Sequence, residues 1–503
     1  MPSRMQFEAQ FSRSGSGGAP RRRDDAPLRI LLLGDFSASA AAERAPLAQR
    51  PTLRVDLDNL DGVMRKLAPR AQIAIGGAGA ATVTAEVLAL DHFHPDHLFE
   101  AMPLCRALRE TRQRLLDPAQ FEQAAAELRL APAPGPAPAA PSPAAPAATA
   151  GGDLLGQLLG SASPARPAAP APQQAASAID ALIRGIVAPH IVADSAPFQA
   201  QYLASVDSAI GEQMRACLHA PAFQSLESAW RGVQWLIASL ELDDKLQLHL
   251  FDVTRDEIQA DLVAAKGQVG QTALHQALVD RWRQQPGADG WSVLAGLYSF
   301  GPGDADIAVL AALGQLASQV GAPLLAAATP AMVGAASFET PVREWSAPAS
   351  WQALRRSEVA PWLGLTAPRV LLRLPYGKKQ DPTERFAFEE FGNAPEHEGL
   401  LWGNGALAAA LLIGRAFTAR GWDFEPGDER EIGDLPALTC LRDGEKELQA
   451  CAEWYLGELG GQAMLEAGLI PVLSHRHANA VTLMRFQSVA DPATALVLGA
   501  TAG

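Results

Sequence analysis

Residues 219–237 read HAPAFQSLESAWRGVQWLI, with two tryptophans five residues apart and an Arg-Gly step between them. Taken as a helix entered through Pro221, the stretch sets Phe223, Leu226, Trp230, Val233, Ile237 and Leu240 at alternating steps of three and four. That spacing makes one continuous apolar seam. Trp235 lies off the seam, so the helix must contact more than one neighbour. Gly232 weakens a helix by about 1 kcal/mol relative to Ala, and its presence implies a close backbone approach. The charged groups are Glu227 and Arg231, four apart, which read as an ordinary helix-surface pair. Catalysis needs convergent polar groups, and this stretch does not supply them. Phe223, Leu226, Trp230, Val233 and Trp235 are therefore candidate subunit-packing residues.

Outward from this helix the chain alternates between helical and strand patterns. PFQAQYLASVDSAIGEQMRACL (197–218) puts Phe198, Tyr202, Val206, Ile210 and Cys217 on one helical face. LQLHLFDVTRDEIQADL (246–262) is an alternating strand followed by a capping box, Thr254 with Glu257 three residues on. Apolar runs recur at 291–300, 322–329 and 369–377, and residues 466–489 read as a helix end and a hairpin. The alternation predicts a mixed α/β domain over 178–503.

The N-terminal part carries the same signature on a smaller scale. Residues 1–26 read as a flexible tail, and LRILLLGDF (28–36) as a buried strand. Residues 54–69 read as a strand turning into a short helix stopped by Pro69, and 70–77 with 81–90 as a hairpin. Residues 91–117 read as a helix with Pro95 in its first turn and Pro103 as a kink. This makes 27–129 a second, small α/β domain. Between the two, 130–177 is almost wholly Ala and Pro, a composition that cannot offset its ordering entropy and predicts a disordered, semi-stiff linker. The linker holds a leucine island, DLLGQLLG (153–160), in which Leu154, Leu155, Leu158 and Leu159 form either a docking peptide or a patch that folds back.

Composition narrows the function classes. The 503 residues carry a net charge of −14, which argues against a nucleic-acid or anionic-membrane partner. The run Arg21-Arg22-Arg23 is followed at once by Asp24-Asp25, which partly cancels it. Cys105, Cys217, Cys440 and Cys451 lack the spacing of a zinc ribbon, and nothing in their placing suggests a disulfide scaffold. No signal-peptide core and no run of eighteen apolar residues occurs, so the expectation is a cytoplasmic protein.

The strongest rival chemistry is DHFHPDH, which gathers Asp91, His92, His94, Asp96 and His97 within seven residues. Imidazoles and carboxylates at that density suit zinc, which would make the protein a metal-dependent enzyme. The competing reading is a helix entry, with Pro95 opening the helix and Asp96 favourable against its dipole. His475 and His477 sit at alternate positions of the late hairpin and read as an exposed polar face. IAIGGAGAAT (73–82) has phosphate-loop glycines without the Lys-Ser/Thr, and Ser37 in GDFSA lacks the nucleophile frame. Lys378 and Lys379 read as a solvated loop, and Trp402 as core. No nucleophile, base and orienter can be assembled, so no enzyme and no cofactor is expected.

The motif His219, Pro221, Phe223, Gln224, Leu226, Glu227, Trp230, Arg231, Gly232 resembles the signature of the large sheath subunit of type VI secretion systems, the TssC/VipB/ImpC (EvpB) family. LYSFGPGDADIAVL (297–310), APLLAAATPAMVG (322–334), 363–391 and 400–422 are similar to further pieces of that family, in order, from about 178 to 490. Residues 30–38, 54–75 and 88–115 resemble the small sheath subunit, TssB/VipA. The resemblance implies a fused pair of sheath subunits, a structural component of a contractile injection apparatus. It further implies an Hcp tube, a baseplate, other sheath subunits and the ClpV unfoldase as partners, with self-association. By position, the leucine island matches the peptide that ClpV engages. Large subunits of the family continue well past the segment matching LMRFQSV (483–489), whereas this sequence ends at Gly503. Polymerisation is therefore open, and the alternative is a non-polymerising cap, adaptor or baseplate-associated accessory.

Overall fold

A computed structural model describes residues 26–75, 81–129, 199–284, 290–392, 395–442, 445–496 and 498. Its described parts form two compact units, and both draw on the N-terminal and the C-terminal parts of the sequence. The leucine island, Phe198 and the linker lie outside the described residues.

The first unit comprises Met1–Val63, Ser228–Arg373 and Leu401–Gly503. Its strands are β1 (Leu28–Gly34), β2 (Leu53–Val55), β5 (Leu246–Asp252), β6 (Val293–Phe300), β7 (Leu324–Ala328), β8 (Leu363–Ala367), β11 (Glu431–Ile432), β14 (Ile470–Ser474) and β15 (Val481–Leu483). They make one sheet in the order β11-β15-β14-β8-β7-β6-β1-β5-β2. From β5 to β14 all neighbours are parallel. Antiparallel strands close the edges, β2 beside β5 and β15 with β11 beyond β14. Taken in chain order, the parallel strands lie 2-1-3-4-5-6, a doubly wound arrangement that reverses direction at β1.

Strand β1 is the informative element. Its sequence, LRILLLG, is apolar apart from Arg29, as a parallel strand covered on both faces must be. It sits between two strands of the C-terminal part, with Leu28 opposite Leu246 and Ile30 opposite Val293. Leu31 and Leu33 join the core formed with the Arg255–Ala264, Asp304–Val320 and Ala349–Arg355 helices. The other face is covered by the buried helix Gly405–Arg420. Against that helix lies the end of the Pro221–Ser239 helix, where Leu407 closes on Gly232 and Leu240 on Gly414. The close approach expected at Gly232 is thus present.

The second unit comprises Met64–Glu227 and Leu374–Leu400. It holds the hairpin β3 (Arg70–Ile75) and β4 (Ala81–Glu86), with Arg70 opposite Glu86. The helix expected over 91–117 is two helices, Pro95–Ala101 and Pro103–Leu116. Met102 between them is extended, because Pro103 disfavours the helical conformation in the residue before it and opens a new helix instead of kinking the old one. The Pro103–Leu116 helix packs on Gln199–Leu218, where Arg112 pairs with Asp207 at 2.6 Å. The ring of Phe121, on the Phe121–Arg129 helix, meets Tyr202 edge-on.

Candidate functional site

The first cluster lies at the carboxyl ends of β1 and β5, one strand away from the reversal point between β1 and β6. Here the loop after β1 folds over the end of β5. Asp252 at the end of β5 accepts the N–H groups of Phe36 at 2.8 Å and Ser37 at 3.0 Å, and the Ser37 hydroxyl at 2.7 Å. Arg44, whose side chain is only 3% exposed, donates to Glu257 at 3.0 Å and also pairs with Asp35. Arg50 donates to both Glu257 oxygens and to the Asp252 carbonyl. Arg281 secures the loop from outside through the carbonyls of Ala48 and Arg50. The anticipated capping box is present, and Glu257 serves it and the two arginines together.

Electrostatics follow from this packing. Burial works against the Arg44 charge, but Asp252, Asp35 and Glu257 outweigh it and hold the guanidinium protonated more firmly than a free arginine. Burial raises the Asp35 carboxyl above its ordinary range despite the pull of Arg44. For Glu257 burial pushes up, but hydrogen bonds from Arg50 and the Thr254 backbone pull it below the usual carboxylate range. The Ser37 hydroxyl donates to Asp252 and accepts the Ser39 N–H, a structural role within this cluster.

The second cluster is built by the signature residues in the second unit. His219 Nε2 lies 3.3 Å from Glu390 Oε1, whose other oxygen accepts the Tyr376 N–H at 2.8 Å. The Tyr376 hydroxyl reaches Glu227 at 3.5 Å. Gln224 donates to the carbonyls of Glu398 and Gly399. Glu227 is fully buried, which corrects the reading of a surface pair with Arg231. The reason is the Leu374–Leu400 segment, which covers this turn of the helix and which spacing alone does not reveal. Within the motif, His219, Gln224 and Glu227 anchor that segment.

The DHFHPDH residues hold the same segment from the other side. Pro95 opens the helix, and His94 caps it by accepting the Asp96 N–H at 3.2 Å. Asp96 accepts the N–H groups of Glu384 at 2.8 Å and Arg385 at 3.1 Å. Arg385 pairs with Glu100 at 2.9 Å, and Phe386 stacks on Phe99. His92 stacks on His97 with ring centroids 3.7 Å apart, and the His92 Nδ1 accepts the Leu88 N–H. Among the described residues, no group of three His, Cys, Asp or Glu side chains converges to hold a metal ion.

The packing residues named from sequence fall in both units. Phe223 and Leu226 are buried in the second, where Phe223 meets Phe93 edge-on. Trp230 and Val233 are fully buried in the first, and Trp235 is half-buried. Leu154, Leu155, Leu158 and Leu159 lie outside the described residues. Trp402 is buried and Lys378 and Lys379 are exposed as expected; His475 and His477 are exposed too, but in the turn between β14 and β15 and not at strand positions. Sequence reading missed Arg44, Arg50 and Glu390. Two arginines six apart after a strand were the available signal, but their shared partner Glu257 lies more than 200 residues away.

No helix among the described residues is long and apolar enough to cross a membrane. A family model described as EvpB/VC_A0108, tail sheath N-terminal domain (VipB), matches residues 200–490. One described as type VI secretion system, VipA, VC_A0107 or Hcp2, matches residues 14–129. The type VI secretion system sheath protein TssC1 of Pseudomonas aeruginosa is 30% identical over 306 residues, covering 58% of this chain and 61% of the relative. The chain thus spans about three fifths of the length of the curated relative it matches. With the tail-sheath model matching more than half of its length and a VipA-like segment ahead of that match, the chain belongs to the VipB family of type VI secretion sheath proteins.

Proposed function

We propose that this chain is a small-subunit-like and a large-subunit-like sheath segment fused in one polypeptide, a structural part of a contractile injection apparatus. The observation that supports it most is the placing of β1: a strand from the VipA-like segment lies between β5 and β6 of the VipB-like segment, in parallel register with both. The two segments also share the second unit, through the Asp96, Glu100 and Phe99 contacts with residues 384–386. These contacts support pairing of the two segments within one chain. Its work is mechanical and carried by subunit contacts, with neighbouring protomers, an Hcp tube and a baseplate as its surroundings. The leucine island is the point at which an unfoldase of the ClpV type takes hold.

The test is electron microscopy of the purified full chain in negative stain. Rings or tubes with a regular subunit repeat are expected. Uniform small particles at every concentration tested would overturn the polymerising reading in favour of an accessory bound at one position of the apparatus.

A further inference from the structure

We infer that the Asp35–Arg50 loop clamps the carboxyl end of β1 to that of β5, and that Arg44 is the positioning residue that fixes β1 in register between β5 and β6. The inference does not depend on whether the chain polymerises.

The need for such a device follows from the strand itself. In a half-buried strand, a slip by one residue moves apolar side chains to the solvent face, and that penalty fixes the register. In β1, Ile30, Leu31, Leu32 and Leu33 are all fully buried. A slip by two exchanges one leucine for another at most positions, but it carries Arg29 to where the buried Leu31 sits. Arg29 apart, the hydrophobic pattern that normally specifies register is weak here. Its neighbours, LQLHLFD and VLAGLYSF, are themselves mostly buried and add little discrimination.

The polar groups just past the strand are not silent. In the observed register, Gly34 is opposite Asp252, and the two following N–H groups reach the Asp252 carboxylate. Arg44 then faces Asp35, Asp252 and Glu257, and its Nε is satisfied by the Ser39 carbonyl. A shift along the strand would pull the Phe36 and Ser37 N–H groups off Asp252 and strand a buried guanidinium. An uncompensated buried charge is among the costliest defects a fold can carry, and a buried ionic group that sets registry is its best-attested use.

A register-specific cross-link in the full chain tests this. Leu28→Cys with Leu246→Cys reports the observed register, and Leu28→Cys with Leu248→Cys reports a slip by two. After mild oxidation, the linked peptides are identified by mass spectrometry. With Arg44 intact, the 28–246 link should dominate. In Arg44→Met, the ratio of the 28–248 to the 28–246 yield should rise about tenfold or more. Arg44→Lys, which keeps the charge but not the fork, should fall between. A ratio unchanged in Arg44→Met overturns the inference. Should Arg44→Met fail to accumulate, the Arg44→Lys ratio decides: a severalfold rise supports it, and an unchanged ratio overturns it. A merely structural role would lower stability without moving the links.

Discussion

The Nε1–H of Trp230 donates to the carbonyl oxygen of Phe36 at 2.9 Å, and the Phe36 ring meets the indole edge-on at a centroid distance of 5.6 Å. One residue comes from the VipB-like match and the other from the VipA-like match. Both are fully buried, so a tryptophan of the family signature is a contact between the two matched segments. Trp230→Ala should cost about 3–5 kcal/mol, through the lost volume and the orphaned carbonyl. Trp230→Phe should keep part of the packing and lose the hydrogen bond. Urea denaturation followed by circular dichroism measures both, and an Ala variant within 1 kcal/mol or so of the parent would contradict this account.

Gly232 predicts a packing conflict. A methyl placed there overlaps the Cδ1 of Leu407. Gly232→Ala gains about 1 kcal/mol of helix propensity but incurs overpacking of about 1–3 kcal/mol, so it should destabilise or at best break even. Combining it with Leu407→Ala should cost less than the sum of the single changes, because the truncation makes the room. Additive midpoints would show that the two positions do not interact.

Asp96 should matter for the 384–386 segment and not for metal. Asp96→Ala removes the acceptor of two backbone N–H groups, at a cost of about 1–3 kcal/mol. Limited proteolysis should then cut between 376 and 390 faster than in the parent. Adding zinc to the parent should leave its melting temperature where it was. A zinc-dependent rise, abolished by Asp96→Ala, would restore the metal reading.

Acid should weaken the first unit through His249. Burial, with Arg29 and Arg54 adding, pushes this imidazole down to about 4. A free histidine titrates near 6.5, so between those values the unfolded chain binds a proton that the folded chain refuses. Stability is therefore full above pH 6.5, falls as the pH drops, and levels off near 4, a total loss of about 3 kcal/mol from this group. His249→Phe removes that component. The slope of stability against pH across the window should be shallower in the variant, and equal slopes would refute the assignment.

The leucine island yields a binding prediction independent of the fold. Leu155→Ala with Leu158→Ala should abolish capture by a ClpV-type unfoldase and leave the melting temperature unchanged. Undiminished affinity in a pull-down with the purified unfoldase would remove the island from the proposed function.

The legible parts of the sequence were the local ones. The seam from Phe223 to Leu240, the capping box at Thr254 and the β14–β15 hairpin are each decided within a dozen residues or so, where spacing carries the physics. Partnership was not legible. LRILLLG announces a doubly covered strand, but nothing in it names Leu246 and Val293 as its neighbours. The same holds for Glu227, whose burial is decided by a tyrosine about 150 residues away. Short strands such as β9 (Val370–Leu371), paired with β10 (Trp402–Gly403), came out far shorter than the apolar run 369–377 suggested. Pro375 lacks an N–H for a ladder, and the run turns away before reaching it.

Strand β1 also sets a timetable for synthesis. Arg29 and its neighbour Gln247 are 218 positions apart, so at about 5–20 residues per second the ribosome delivers the second roughly 10–40 s after the first. Throughout that wait the nascent leucine-rich ribbon has no flanking edge to dock on, and such exposure invites aggregation. A cell making this polypeptide must shield its opening segment until the later strands emerge, a demand for chaperone escort during translation.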